Sequence, residues 1–342
     1  MKFESTTIKD IAKILKLSPS TISRALKDSY QISIKTKKKV MDLAKELNYR
    51  PNPFALGLKE RKTKSIGIVL SEIANSFFSQ AINGIESIAQ EKGYNVVITQ
   101  SKELLEREIS ALQYLTSRSI DGIIISVSTE TADFKHIQEL YEKGLPIVSF
   151  DRVVNFSNIH KVKLDNFEAT NKATNHLLNN GYKNIAFIAS AKHLSITEER
   201  KMGYIAALQS HKIKINNNLI KYCAHGGLIY NEVEDILKKI LTDKNMPDAI
   251  ISGSDKITTN IMRYCYKNKI KIPTSLGLIG FSNLDLTEFL TPSLSVIKQP
   301  AFEMGKIACE LLIKQIESKR PISNFEEIQL PTELLFRDSS KG

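Results

Sequence analysis

The first 47 residues carry apolar side chains at the three- and four-residue spacing of short amphipathic helices. Three groups follow this spacing: Ile8, Ile11, Ala12 and Leu15; Ile22, Ala25 and Leu26; and Val40, Leu43, Ala44 and Leu47. A residue suited to N-capping precedes each group, namely Thr7, Ser18 and Ser33, and Pro19 fits the first turn of the second helix. Only two residues separate the first helix from the cap of the second. The pattern predicts an all-α domain over residues 1–50, with its first two helices arranged as a helix-turn-helix.

From Ser65 onward, short apolar runs alternate with amphipathic helical stretches. The runs are Ile66–Leu70, Val96–Thr99, Gly122–Ser126, Ile147–Phe150, Ile185–Ala189, Ala249–Ser252 and Leu278–Phe281. This alternation predicts parallel strands with helices on both faces, in more units than one sheet holds comfortably. We therefore expect a hinged clamp of two doubly wound lobes.

The tail of the chain is expected to cross between the two lobes. It holds an apolar run over 294–297, a helix over 301–317 and a last run over 333–336. We expect the first lobe to take residues 65–164 plus 293–324, and the second lobe to take residues 165–292 plus 325–342.

Charge is concentrated at one end of the 342-residue chain. Residues 1–62 hold 15 basic and 6 acidic side chains, whereas the other 280 residues hold 33 basic and 31 acidic ones. A basic helical head on a nearly neutral body indicates a polyanionic partner. The start lacks the apolar run of a secretory signal, and no stretch approaches about 20 apolar residues, so we expect a cytoplasmic protein without membrane contact. The three cysteines are far apart, which predicts neither a metal site nor a disulfide, and no cofactor motif is present.

Short polar side chains at the start of the second helix are typical of a segment that enters the major groove of double-stranded DNA. Pro19, Ser20 and Arg24 would face the bases, and Arg24 could bind guanine with two hydrogen bonds. The remaining predicted DNA contacts, mainly to phosphates, are Thr7, Ser18, Thr21, Ser23, Ser33, Lys35 and Thr36. The alternative is that the basic residues merely solvate a small helical domain.

Polar and aromatic residues follow the predicted strands, where ligands of open α/β sheets bind. They are Asn75, Ser76, Phe77, Phe78, Ser126, Ser128, Asp151, Arg152, Ser254, Asp255, Ser282 and Asn283. Two aromatic rings among hydroxyl, amide and charged groups suit a sugar. Core packing of the two phenylalanines, and helix capping by single Asp or Ser residues, are the alternatives.

Several gap-free segments resemble the LacI/GalR family of bacterial transcription regulators. In the head they are residues 7–12, 17–26 and 47–52, and in the body they include residues 65–69, 75–78, 84–86, 199–204, 278–281, 297–300 and 330–334. The resemblance implies a helix-turn-helix DNA-binding domain followed by an α/β two-lobed domain like that of periplasmic binding proteins, with two doubly wound parallel sheets. It also implies a homodimer that binds a palindromic operator, acts as a repressor and is switched by a carbohydrate-like effector.

The resemblance assigns roles to further residues. It implies a hinge helix within residues 51–64, in which Leu58 wedges into the minor groove with Asn52 and Ala55 beside it. By motif match, the effector contacts are Phe77, Phe78, Arg200, Ser254, Asp255 and Gln299, and Ser282 is added to them as a polar residue at a strand end. Ser282 departs from the family, which commonly has Asp there, so the carboxylate that binds the familiar effectors is missing at this position.

Other classes of protein find less support in the sequence. There is no P-loop, H-E-x-x-H, G-x-S-x-G or G-x-G-x-x-G motif, so we expect no enzyme. A sugar-binding protein of transport or sensing is the rival class, but it would carry a signal peptide and no basic helical head. A regulator controlled by a partner protein instead of a small molecule stays open. The short tail after Arg337 has no heptads, so we expect a dimer.

Overall fold

A computed structural model describes residues 6–49 and 62–341. The chain divides into two compact units, Met1–Lys64 and Ser65–Gly342. Three residues to which the sequence assigns hinge contacts, Asn52, Ala55 and Leu58, lie outside the described residues.

The first unit contains three helices, α1 (Ile8–Leu15), α2 (Pro19–Leu26) and α3 (Ile34–Glu46). Their core consists of Ile11, Ala12, Ile22, Ala25, Val40 and Ala44. The predicted caps are present: the Asp10 carboxylate accepts hydrogen bonds from the backbone amide and the hydroxyl of Thr7, and the Ser18 hydroxyl accepts one from the amide of Thr21 at 3.1 Å. Lys16 turns the chain between α1 and α2 with a φ of 51°. The predicted helix-turn-helix fold of this unit is confirmed.

The second unit is built on two six-stranded sheets. The strands are β1 (Ser65–Leu70), β2 (Asn95–Gln100), β3 (Gly122–Ile125), β4 (Ile147–Phe150), β5 (His160–Leu164), β6 (Ile185–Ala189), β7 (Ile220–Tyr222), β8 (Ala249–Ser252), β9 (Gly277–Phe281), β10 (Ser295–Lys298), β11 (Glu327–Leu330) and β12 (Glu333–Leu335). The first sheet has the order β11-β5-β4-β3-β1-β2 and the second the order β12-β10-β9-β8-β6-β7. All recorded pairings are parallel except that of β10 with β12.

Helices cover both sheets. They are α4 (Ser76–Glu91), α5 (Leu105–Ser117), α6 (Lys135–Glu142), α7 (Asn166–Asn179), α8 (Ser195–Ser210), α9 (Tyr230–Leu241), α10 (Asp255–Lys267) and α11 (Ala301–Glu317). Successive residues of a strand point to opposite faces of the sheet, so Ile66, Ile68 and Leu70 pack with α4 and α11, while Val69 packs with α5. Helices α4 and α11 touch at two glycines, where a Cβ on Gly84 would lie 2.0 Å from the carbonyl oxygen of Phe302.

The expected tail segments of the two lobes need a correction. Strand β10, expected in the first lobe as part of residues 293–324, pairs with β9 in the second sheet. Strand β11, expected in the second lobe as part of residues 325–342, pairs with β5 in the first sheet. The chain therefore crosses after β5, again between β10 and α11, and again between β11 and β12. The alternation of strands and helices identifies strands but carries no information on which sheet a tail strand joins.

Candidate functional site

The start of α2 presents the predicted DNA-contacting side chains on the surface of the first unit. Ser18, Pro19, Ser20 and Arg24 are exposed, and Thr21 and Ser23 are half-buried. The cap of α3 repeats the arrangement, because the hydroxyl of Ser33 accepts a hydrogen bond from the amide of Thr36 at 3.3 Å. Among the other predicted contacts, Thr7, Ser33 and Lys35 are exposed and Thr36 is half-buried. Two helix N-termini with exposed hydroxyls and partial positive charge can bind phosphates.

A cleft in the second unit gathers residues from the carboxyl ends of strands in both sheets. Its lining consists of Asn75, Phe77, Phe78, Asp151 and Arg152 from the first lobe, Ile196, Arg200, Ser254, Asp255 and Phe281 from the second, and Gln299 at a crossing. Six of the seven predicted effector contacts lie in this lining; Ser282 does not. The structure thus brings the predicted residues together, while their contact with an effector stays a prediction.

The aromatic wall of the cleft is held in place at the start of α4. The side-chain oxygen of Asn75 accepts hydrogen bonds from the amides of Phe77 at 2.9 Å and Phe78 at 3.4 Å. The two rings are buried and meet edge to face, with centroids 5.2 Å apart. Both rings also belong to the core beneath α4, so core packing and cleft lining are combined in the same side chains.

Arg200 is buried on α8 and held by four neighbours. Its Nε donates to the side-chain oxygen of Asn166 at 2.8 Å, Nη1 to the carbonyl oxygen of Gly253 at 2.6 Å, and Nη2 to the side-chain oxygen of Gln299 at 3.1 Å. The guanidinium lies over the ring of Phe281, 3.6 Å from its centroid. Burial lowers the pKa of Arg200 to about 10, which leaves it charged at neutral pH.

Ser282 lies behind Asp255 instead of in the cleft lining. The buried Ser282 hydroxyl donates to the Asp255 carboxylate at 2.5 Å, and the amide of Asn283 donates to the same oxygen at 3.2 Å. The amide side chain of Asn283 in turn donates to the carbonyl oxygen of Gln299 at 2.7 Å. Burial raises the pKa of Asp255 above its ordinary value. Ser282 therefore holds the Asp255 carboxylate, which is part of the cleft lining.

Two charged residues follow β4 and line the first-lobe wall. Asp151 is buried with a φ of 57°, and its burial raises its pKa. Arg152 forms a two-pronged ion pair with Glu103, whose oxygens lie 2.6 and 3.0 Å from Nη1 and Nη2. The sequence pointed to Asp151 and Arg152 only as strand-end candidates and gave no indication of Glu103, which lies in a turn after β2. Ile196 and Phe281 were also missed as lining residues, because apolar side chains do not distinguish a site from a core.

Direct contacts join the two lobes across the cleft. Lys256 on α10 lies 2.9 Å from the Glu72 carboxylate, and the side-chain amides of Gln80 and Asn283 are hydrogen-bonded at 2.7 Å. The cavity at the centre has a volume of about 40 Å³. At 10–15 Å³ for each water this accommodates about three waters. The cleft is therefore narrow at its centre in this arrangement of the lobes.

In residues 6–49 and 62–341 no group of three or more His, Cys, Asp or Glu side chains could hold a metal ion. Within the same ranges, no helix has the length and apolar character needed to cross a membrane.

Two family models match the chain. One, described as bacterial regulatory proteins of the lacI family, matches residues 7–52. The other, described as periplasmic binding proteins and sugar binding domain of the LacI family, matches residues 63–335. The two matches correspond to the helical unit and to the two-lobed unit.

Individual proteins match over most of their lengths. The ribose operon repressor of Halalkalibacterium halodurans is 32% identical over 337 residues, which is 98% of each chain. A LacI family transcriptional regulator from Enterococcus faecium, solved with bound ribose, has a TM-score of 0.69 and 26% identity, and the match covers 80% of this chain and 98% of that one. A structure of the lac repressor dimer bound to operator and the anti-inducer ONPF has a TM-score of 0.81 over 99% of this chain and 100% of that one; at 21% identity it shows the fold alone.

Proposed function

Since the chain belongs to the LacI family of bacterial regulatory proteins, we propose that it is a repressor that binds a palindromic operator as a homodimer and is switched by a sugar. The observation that carries the proposal is the pairing of two sites in one chain. One unit presents the N-terminus of a recognition helix, and the other gathers aromatic, carboxylate and guanidinium groups in a single cleft.

The first unit supplies sequence-specific contact with DNA. Arg24 is exposed in the last turn of α2 and can bind the O6 and N7 atoms of guanine with its two terminal nitrogens. Exposed hydroxyls at the starts of α2 and α3, with Lys35, can bind phosphates on either side. Two such units related by dimer symmetry would bind two half-sites, which makes an inverted repeat the expected operator.

The cleft of the second unit supplies the effector site. Sugar hydroxyls donate hydrogen bonds to carboxylates and accept them from guanidinium groups, while the apolar face of the ring packs on aromatic side chains. Asp151 and Asp255, Arg152 and Arg200, and the Phe77–Phe78 pair provide these three kinds of contact. The relative named a ribose operon repressor and the neighbour solved with ribose support a simple aldose as the effector.

The segment between the two units transmits the effector signal in this proposal. A short hinge with Gly57 inside it is only marginally stable as a helix, so a small change in the spacing of the dimer can fold or unfold it. Leu58 is proposed to wedge between bases in the minor groove and to bend the operator. The protein would act in the cytoplasm, where the DNA is, and would have no catalytic activity.

Selection of binding sites from a pool of random double-stranded DNA tests the proposal. Full-length protein is expected to enrich an inverted repeat with a fixed centre, and protein lacking residues 1–62 is expected to enrich nothing. Sugars are then added to the selected site, because a repressor switched by a small molecule must respond in pure form, without a partner protein. Failure of intact, folded protein to enrich any sequence would contradict the proposal.

A further inference from the structure

One buried asparagine joins three parts of the cleft. Asn283 follows β9 in the second lobe, directly after Ser282, and only 2% of its surface is exposed. Its backbone amide donates a hydrogen bond to the Asp255 carboxylate at 3.2 Å. Its side chain contacts Gln299, where the chain crosses between the lobes, and Gln80 on α4 in the first lobe. Asn283 lies outside the cleft lining, so it acts on the cleft through these neighbours.

The side chain of Asn283 pairs with the backbone of Gln299. Its Oδ1 accepts a hydrogen bond from the Gln299 amide at 3.1 Å, and its Nδ2 donates one to the Gln299 carbonyl oxygen at 2.7 Å. Such a pair needs a donor and an acceptor side by side, which a side-chain amide has and a carboxylate lacks. The pair fixes Gln299 directly after β10, and the Gln299 side chain in turn accepts a hydrogen bond from Nη2 of Arg200 at 3.1 Å.

Further hydrogen bonds of Asn283 cross from one lobe to the other. Its Nδ2 also donates to Oε1 of Gln80 at 2.7 Å, and Nε2 of Gln80 donates to the Asn283 carbonyl oxygen at 3.2 Å. Gln80 lies on α4 about one helical turn after Phe77, whose ring is part of the aromatic wall of the cleft. The helix that carries the aromatic wall is therefore tied to the residue that fixes Gln299.

Other residues also bring the lobes into contact. Lys256 and Glu72 form an ion pair at 2.9 Å, but 35% of the lysine side chain is exposed, so water weakens this attraction. A Cβ built on Gly226, in the second lobe, would lie 3.2 Å from Cγ2 of Thr129 and 3.3 Å from Oε1 of Glu103, both in the first lobe. Thr129 is only 1% exposed, and separation of the lobes would uncover it.

We propose that Asn283 is a positioning residue of the cleft, which fixes Gln299 at the crossing and, through Gln80, holds the two lobes against each other. The inference rests on the proposed function, since it concerns the cleft in which the effector binds. It adds the residue through which a change at Arg200 or Gln299, where a sugar is proposed to bind, reaches α4 in the first lobe.

The substitutions Gln80→Met and Asn283→Ala separate the two parts of this role. Methionine is about as long as glutamine, so Gln80→Met removes the hydrogen bonds between the lobes and leaves the pairing of Asn283 with Gln299 in place. Asn283→Ala removes both sets of hydrogen bonds. Gln90→Met is the matched control, because Gln90 is an exposed glutamine near the end of the same helix.

Hydrogen–deuterium exchange of the full-length proteins, measured without sugar or DNA, tests the inference. In Gln80→Met, the backbone amides of residues 127–131 and 223–228 should exchange about tenfold faster than in the wild type, because separation of the lobes no longer breaks the bonds to Gln80. Amides of the buried strands β1 and β8 should keep their wild-type rates. The amide of Gln299 should exchange faster only in Asn283→Ala, which removes its acceptor. Gln90→Met should match the wild type throughout.

Wild-type exchange rates at residues 127–131 and 223–228 in Gln80→Met would overturn the inference. An equal increase in β1 and β8 would overturn it as well, because it would show a general loss of stability instead of separation of the lobes. Should Asn283→Ala fail to fold, Gln80→Met decides alone. Failure to select an operator would contradict the proposed function and leave the role of Asn283 in lobe contact standing. Unchanged exchange in a protein that binds its operator and responds to a sugar would contradict the inference alone.

Discussion

At the scale of single residues, the cleft depends on carboxylates that are kept from water. Burial raises the pKa values of Asp151 and Asp255, although Arg152 and Arg200 lower that of Asp151, and the bonds from Ser282 and Asn283 lower that of Asp255. A raised pKa means that each group takes up its proton at a higher pH than an ordinary aspartate. The ionised form, which is the form proposed to bind a sugar, is therefore lost from these two residues at a higher pH than from an ordinary aspartate.

Sugar affinity is accordingly expected to fall as the pH is lowered. Protonation removes acceptors for sugar hydroxyls, so the dissociation constant should be larger at pH 4, near the ordinary pKa of an aspartate, than at pH 7.5, by about tenfold for each unit by which binding shifts the pKa. Titration calorimetry across this range measures it. Asp255→Asn should bind more weakly at pH 7.5 and show a flatter profile. A wild-type dissociation constant that does not change down to pH 4 would contradict a role for the two carboxylates in sugar binding.

The sequence predicted most of the cleft residues and missed those that act through a neighbour. Phe77, Phe78 and Arg200 follow from family motifs, and the structure places them in one lining. Ser282 was expected there because it lies at the end of a strand, but its hydroxyl is bonded to Asp255. Glu103 could not be found from sequence, because it lies in a turn with a φ of 65° and belongs to no repeated pattern.

At the scale of elements, the helix-turn-helix shows close agreement between local sequence and structure. Thr7, Ser18 and Ser33 are the N-cap residues of its three helices. Pro19 begins α2, at a position where no backbone amide is needed for the hydrogen bonds of the helix. The recognition helix is only eight residues long, so its stability comes from the packing of Ile22 and Ala25 on the other helices. Its exposed face is thus free to vary without loss of the fold.

Arg24→Ala is expected to reduce the preference for the best DNA site, while weak, salt-sensitive binding to any DNA remains. A two-pronged contact between arginine and guanine contributes about 1–3 kcal/mol of discrimination, a factor of roughly 5 to 150. Fluorescence anisotropy with the selected site and with a scrambled duplex measures the ratio. Lys13→Ala is the control, because Lys13 is exposed on α1 outside the predicted contacts. Unchanged discrimination in Arg24→Ala would mean that another residue contacts the guanine.

Local sequence patterns locate only some of the strands and do not show which sheet a strand joins. Buried strands such as β3 and β6 are continuous apolar runs, and the sequence located them. Strand β5 has two lysines and a histidine among its five residues, and β11 pairs beside it as a partly exposed edge, so neither has an apolar run. The sheet that a strand joins depends on its pairing partners far along the chain, which is why β10 and β11 were assigned to the wrong lobes, whereas the helix over 301–317 and strand β12 were assigned correctly.

At the scale of the whole molecule, the two functions lie in different compact units. The helices that are predicted to contact DNA lie within residues 1–64, and the cleft lies wholly within residues 65–342. In the proposed mechanism, the sugar changes the arrangement of the lobes, and the segment between the units converts that change into a change of DNA affinity. The coupling between sugar binding and DNA binding is a free energy that links the two sites. A substitution in the segment between the units can therefore remove this coupling while each site still binds its own ligand.

Leu58→Ala is expected to separate the two functions. Loss of the proposed wedge should reduce the bend of the operator and weaken specific binding by about tenfold or more. Unstacking a base step costs a few kcal/mol, and the bent operator offsets this cost by making additional contacts with the protein. Sugar affinity in the absence of DNA should not change, because the cleft lies in the other unit. Bending is measured by energy transfer between the labelled ends of an operator duplex, and sugar affinity by calorimetry.

Leu56→Ala removes the same side chain two residues away and is the matched control for the position of the wedge. If both variants bend the operator as the wild type does, the signal reaches the DNA by a different route, and the spacing of the two heads in the dimer would have to carry it. If Leu58→Ala alone loses both bending and the sugar response while keeping its sugar affinity, the hinge is the element whose folding depends on both DNA binding and sugar binding. That pattern would also explain why a residue as destabilising to a helix as Gly57 can stand in this segment, because a hinge that is marginal without DNA is one that a small movement of the lobes can switch.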